Sequence, residues 1–450
     1  MVLIAPFRGI HYNSDVIEDL SHVITPPYDV ISLEAREHYY QKHPYNIIRI
    51  ILGKALPQDD KTNNKYTRAS AFFQQWLSTG ILKVETSPKI YLYEQDFYYN
   101  DGLVTRRGFV SLVRLEEFSS KTILPHEKTM DKPKEDRLQL LRTCKANFSQ
   151  IFALYSDPSR NISKFLKEEY SKEPSIHIKD NEGVDNRIWP IDDPDLIQFI
   201  QSEMSTKTLF IADGHHRYET CLLYRDEMRS IHRDFTGKEP YNFSMMYLTN
   251  MDEEGLIILP CHRVLKNVDD VKFANLQSGL SKYFDETIIE FDSNDRSQKK
   301  TKFFNTLSRL SKKKQSFGMY KKGDTVYRVL TLKDEKFIDE KLGKTLEKPL
   351  KELDVVILDQ IILGELLGIS EQDIREEAFV SYTKNADQAF DSIHKGEAKL
   401  AFIMNPTKVE QVRAVARLMK KMPQKSTFFS PKLPTGLIIN NLDANELLEI

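Results

Sequence analysis

Short apolar runs alternate along this chain with longer amphipathic stretches, and the alternation predicts a mixed α+β architecture. A short N-terminal strand leads to Thr25-Pro26-Pro27-Tyr28-Asp29, where two prolines forbid regular helix. Ser32 is placed to cap a helix beginning near Leu33. Residues 46–52 form a compact β-branched run. Phe72, Phe73, Trp76 and Leu77 share one helical face, with Gly80 a natural stop. Residues 89–97 and 106–113 read as strands of a hairpin turned at Asn100-Asp101-Gly102. A helix follows over 135–145 with Leu138 and Leu141 on one face, then a strand over 151–155 and a helix over 162–170. Residues 208–212 predict a strand and 217–229 a helix with Tyr218, Cys221 and Leu222 inward. Further strands are expected over 241–249 and 255–260.

From about Asn267 the character changes. Residues 267–314 are rich in Lys, Asp and Ser and predict solvated helices. A second hairpin is expected from 316–319 and 326–332 around Lys322-Gly323-Asp324. The most apolar long segment, 353–369, carries Asp354, Asp359 and Glu365, charges that a bilayer would penalise, so a buried amphipathic helix is expected there. With 450 residues the chain exceeds the usual size of one core. The expected division is an N-terminal α+β catalytic region, 1–262, and a C-terminal α+β region, 263–450.

Charge and cysteine usage narrow the function classes. The 64 Lys and Arg nearly cancel 66 Asp and Glu, which argues against a general nucleic-acid binder. Cys144, Cys221 and Cys261 form no CxxC pair, so neither a cysteine zinc site nor a disulfide framework is expected. The N-terminus has no basic region followed by a long apolar stretch, so the expected location is the cytoplasm, with no membrane partner.

The strongest chemical signal is Asp213-Gly214-His215-His216-Arg217, at a strand-to-helix turn. A helix N-terminus carries unpaired N–H groups and partial positive charge, so an anion belongs there. Gly214 lets the backbone approach a phosphate, and His215, His216 and Arg217 add donors. The plain alternative is an ordinary turn with Asp213 as cap. A second cluster, His126-Glu127-Lys128-Thr129 followed by Lys134-Glu135-Asp136-Arg137, gathers an imidazole, carboxylates and cations. Lys128, Lys134 and Arg137 suit phosphate charge, and Glu127 or His126 suits proton transfer. Pro26-Pro27-Tyr28-Asp29, Cys261-His262-Arg263 and the segment from Pro423 to Pro431 are weaker signals. No HExxH spacing is present, so no dedicated metal site is expected; Mg2+ would arrive with a nucleotide.

The run from Ala212 to Thr220 resembles the phosphate-binding motif of the ParB/sulfiredoxin superfamily, in which sulfiredoxins and ParB proteins bind nucleotides. His215 stands where sulfiredoxins carry their reactive cysteine, and the Asp-Gly-His-His-Arg form is similar to that of the free-serine kinases. Across nearly its whole length the chain also resembles domain-of-unknown-function family 1015. The matching stretches include Pro26 to Asp29, His43 to Asn46, Pro125 to Thr129, Lys134 to Arg137 and Pro423 to Thr427. The resemblance implies a ParB/sulfiredoxin-like nucleotide-binding core and a small-molecule kinase moving phosphate from ATP or ADP to free L-serine or a similar metabolite. Gly214, His215, His216, Arg217, Lys134 and Arg137 would hold phosphates. Glu127, Asp213, His126 and Lys128 would serve the reaction, with Glu127 the first choice of base. A phosphatase acting on a metabolite such as phosphoserine, and a non-catalytic nucleotide switch of ParB type, are the alternatives.

Overall fold

The computed structural model describes residues 1–129, 131–343, 346–443 and 446–450. Its contacts divide the chain into two compact units, each of mixed α and β structure. The first comprises Met1–Pro125, Thr129–Ile257 and Pro431–Ile450; the second comprises His126–Lys128 and Ile258–Ser430. This differs from a single cut after residue 262 in three ways, the first being that His126–Lys128 groups with the second unit. The strand His262–Leu265 is hydrogen-bonded into the second unit's sheet, and the last twenty residues return to the first unit. There Asn440–Asn441 pairs with Ala146–Asn147, and Ile439 bridges to Ile10.

The first unit is built on a nine-stranded sheet. Its strands are β1 (Ile4–Ala5), β2 (Ile90–Tyr99), β3 (Gly102–Arg114), β4 (Ile123–Leu124), β5 (Ile151–Tyr155), β6 (Ile176–Lys179), β7 (Asp185–Ile191), β8 (Leu209–Asp213) and β9 (Phe243–Asn250). They run in the order β4-β8-β5-β9-β3-β2-β7-β6, with β1 beside β3. β2 and β3 form the expected hairpin. Asn100 and Asp101 take φ of 48° and 63°, the left-handed pair that a tight two-residue turn requires. Every residue of the inner strands β5 and β9 is buried. The main helices are α1 (Lys65–Ser78), α2 (Asp131–Cys144) and α3 (His215–Ile231). In α3, Tyr218, Cys221 and Leu222 face the core as their spacing predicts.

Strand direction decides where the motifs gather. β8 runs parallel to β4, with Phe210 opposite Leu124, so the chain leaves β4 at the same sheet edge where Asp213 ends β8. β5 is antiparallel to β8 and parallel to β9, so the residues entering β5 and β9 arrive at that edge too. The register of β8 on β5 slips between Ile211 and Asp213. Such a bulge re-aims the side chain at the strand end.

The β-branched run at 46–52 forms a helical turn, Ile48–Ile51, where the Asn46 side chain accepts from the Ile48 N–H. Within 267–314, expected as solvated helices, Phe284–Glu290 is a strand. The helix expected over 162–170 is a short helix, Asn161–Phe165, followed by a separate turn, Glu169–Ser171.

The second unit has a six-stranded antiparallel sheet. Its strands are β10 (His262–Leu265), β11 (Phe284–Glu290), β12 (Ser316–Lys321), β13 (Val326–Leu332), β14 (Val380–Thr383) and β15 (Leu400–Ile403), in the order β11-β13-β12-β15-β10-β14. Helices Arg296–Ser311 and Ala386–His394 bury Phe303, Leu307, Phe390 and Ile393 against it. The apolar segment at 353–369 is a short helix, Asp354–Ile357, running into a π-helical stretch, Leu358–Leu366. No helix among the described residues is long and apolar enough to cross a membrane.

Candidate functional site

Gly214 caps α3 at φ 93°, a left-handed conformation in which a side chain would be strained. A Cβ there would also lie 2.9 Å from the Arg217 guanidinium. The backbone therefore calls for glycine, and any side chain there would have to displace the Arg217 guanidinium. The helix begins at His215, and no side chain caps it. Asp213 is thus not the N-cap; it faces cations instead.

The Asp213 carboxylate pairs with Lys432 and, at 2.8 Å, with Arg217. Burial works against its charge, yet Lys432 and Arg217, joined by His215, hold the carboxyl well below the usual carboxylate range. A carboxylate so held is a weak proton acceptor and a strong counter-ion. Arg217 also donates to Ser149 Oγ at 3.0 Å and to the Gln150 carbonyl at 2.6 Å, both in the lead-in to β5. It therefore fixes the turn to the neighbouring strand. Arg106, 1% exposed, donates to Gln95 and to the Pro431 carbonyl and lies 4.8 Å from the Phe152 ring centroid. Burial works against its charge, and Asp213 is among the groups that support it. Asp213 thus interacts with Lys432, Arg217 and Arg106 together.

The second cluster meets the first on Glu219, one turn into α3. Thr129 Oγ1 donates to Glu219 at 2.6 Å and Lys134 Nζ at 3.2 Å. Further along α2, Arg137 donates to Asp136 and, at 2.8 Å, to the Ile51 carbonyl. Its guanidinium lies 4.1 Å from the Tyr28 ring centroid, which brings in the Pro-Pro-Tyr-Asp turn. Asp136 also receives Lys65 at 2.5 Å and Tyr66 at 2.8 Å. Burial opposes its charge, but Arg137, Lys65 and Tyr66 outweigh that and hold its pKa at about 2. Burial pushes the Tyr28 hydroxyl up to about 12, so it stays a neutral donor. Lys134 and Arg137, expected as phosphate ligands, are thus tied to Glu219 and Asp136.

His126, Glu127 and Lys128 fall in the second unit. The His126 ring hydrogen-bonds Thr427 Oγ1 at 2.9 Å, its carbonyl accepts from the Met422 N–H, and Glu127 accepts from the Lys425 N–H at 3.1 Å. The segment from Pro423 to Pro431 therefore packs on this motif. Cys261-His262-Arg263 is buried in and beside β10, where burial lowers the His262 pKa to about 4. Among the described residues no three His, Cys, Asp or Glu side chains cluster as metal ligands.

Lys432 and Arg106 went unmarked in the sequence. Arg106 left no clear signal, because it lies in the polar stretch Thr105-Arg106-Arg107 of β3. Lys432 left none, because 219 positions separate it from Asp213.

Fold and site together define a mixed α/β protein with a cationic strand–glycine–helix turn. The chain belongs to the family described as protein of unknown function (DUF1015), whose model matches residues 4–356. No curated protein matches it. Among solved structures it is similar to a conserved hypothetical protein from Pyrococcus furiosus, at 13% identity and TM-score 0.35, covering 72% of this chain and 94% of that one. A free serine kinase variant in complex with ADP gives 12% identity and TM-score 0.36, covering 72% and 90%. C-terminally truncated SbnI from Staphylococcus aureus gives 11% and 0.34, covering 75% and 90%.

Proposed function

We propose that this protein is a small-molecule kinase that holds the phosphates of ATP or ADP, with Mg2+, at the turn Asp213–Arg217 and transfers one phosphoryl group to the hydroxyl of free L-serine or a similar metabolite. The observation that carries the reading is the grouping of Lys432 and Arg217 on Asp213, with Arg106 in electrostatic reach, at the start of a seventeen-residue helix that no side chain caps. Cationic donors gathered at a helix N-terminus favour an anionic ligand.

In the reaction the acceptor oxygen forms a bond to the terminal phosphorus. The bridging P–O bond of the nucleotide breaks, its electron pair leaves on the nucleotide, and the hydroxyl proton passes to a general base. With little covalent work left to the protein, holding and neutralising the phosphoryl group dominate. Gly214 admits the phosphate, Lys432 neutralises it, and Arg217 keeps the turn in register. Phosphorus NMR of the protein with Mg2+, L-serine and ATP or ADP tests this. Phosphoserine should form with the wild type and fall at least a hundredfold with Arg217→Ala. Release of inorganic phosphate from phosphoserine without nucleotide would establish the phosphatase instead. Nucleotide bound without product under any acceptor would mark a switch.

A further inference from the structure

Beside the cationic turn, the first unit holds a cavity of about 60 Å3. At roughly 10–15 Å3 per water that is room for about four to six waters, the scale of a metabolite with few non-hydrogen atoms. Its lining combines apolar side chains, among them Leu140 and Phe148, with the polar groups of Arg137, Arg217, Tyr28 and Thr435. Arg137 is fixed by Asp136, the Ile51 carbonyl and the Tyr28 ring, and these bonds leave one N–H on each of its terminal nitrogens. Arg217, after Asp213, Ser149 and Gln150, keeps its Nε–H and one Nη2–H. Thr435 is among the lining residues, and its buried Oγ1 has no hydrogen-bond partner. A buried hydroxyl left unanswered costs free energy, so such groups usually mark a missing ligand or water.

We propose that this cavity is a pocket for a small carboxylic acid bearing a hydroxyl or amino group. Its carboxylate would lie on Arg137 and Thr435 and its carbon skeleton against Leu140 and Phe148. That this acid is the phosphoryl acceptor rests on the kinase reading above; that the cavity binds it does not. The assignment moves Arg137 from the donor phosphates to the acceptor. Arg217 joins the two halves, because one edge of its guanidinium holds Asp213 while the residue also lines the cavity. The acceptor hydroxyl is thereby delivered beside the phosphate turn.

The test is calorimetric titration of the full chain with L-serine, D-glycerate and glycolate, with L-serinamide as the ligand lacking a carboxylate, and with ADP and Mg2+ in parallel. At least one acid should bind, and among the serine pair the amide should bind at least tenfold more weakly. Arg137→Gln should weaken the acid at least tenfold and leave ADP within twofold. Thr435→Val keeps shape and removes a hydroxyl without a protein partner, so it should fold normally and weaken the acid three- to tenfold. It carries the test if Arg137→Gln fails to fold. No acid bound, equal affinity for serine and its amide, or an Arg137 variant that loses ADP rather than the acid would each overturn the pocket. Acid bound without ADP leaves the pocket standing and removes the kinase reading; ADP bound without acid does the reverse.

Discussion

At the scale of single residues, the site is governed by how few carboxylates serve many bases. Asp136 collects Arg137, Lys65 and Tyr66, and Asp213 collects Lys432 and Arg217. Both are held below the usual carboxylate range, so each contributes stability that is present above the unfolded pKa near 4 and lost as pH falls through the folded value. For Asp136 that window runs from about 4 down to about 2. Asp136→Asn should therefore cost about 2 kcal/mol at pH 7, and the difference from wild type should shrink to less than half of that near pH 2.5. Thermal denaturation of the two proteins at both values checks this. An equal gap at both would show that Asp136 acts by shape and not by charge.

At the scale of elements, the strand–glycine–helix turn was readable because each part has a local cause. Leu209 to Ala212 is an apolar run, Gly214 permits the left-handed step, and Tyr218, Cys221 and Leu222 repeat at helical spacing. The hairpin at Asn100-Asp101-Gly102 was legible for the same reason. Elements set by their neighbours were not. Strand β11, with the sequence Phe-Asp-Glu-Thr-Ile-Ile-Glu, lies among residues that composition assigns to solvated helix, and it becomes a strand because β13 pairs along its length. Gly214→Ala tests the turn. The strained φ should cost about 1–2 kcal/mol, and the new methyl, 2.9 Å from the Arg217 guanidinium, should displace it. A lowered melting temperature and at least tenfold weaker ADP binding are expected; unchanged binding would remove Gly214 from the site.

At the scale of the whole molecule, the chain completes its first unit only with its last twenty residues. Pro431–Ile450 brings Lys432 to Asp213, the Pro431 carbonyl to Arg106 and Thr435 to the cavity wall. The matched family region ends at residue 356, before all of these. Pairings across more than 200 positions leave no periodic mark, which is why the sequence pointed to the turn and to Thr129 and Lys134 but not to Lys432. The Lys432–Asp213 pair gives the phosphate site a direct test. ADP with Mg2+ should be titrated into the wild type and into Lys432→Met by calorimetry at low and moderate salt. Binding should weaken with salt in the wild type and be at least tenfold weaker in Lys432→Met. No binding to the wild type, or equal affinity in the two proteins, would contradict a phosphate site at this turn.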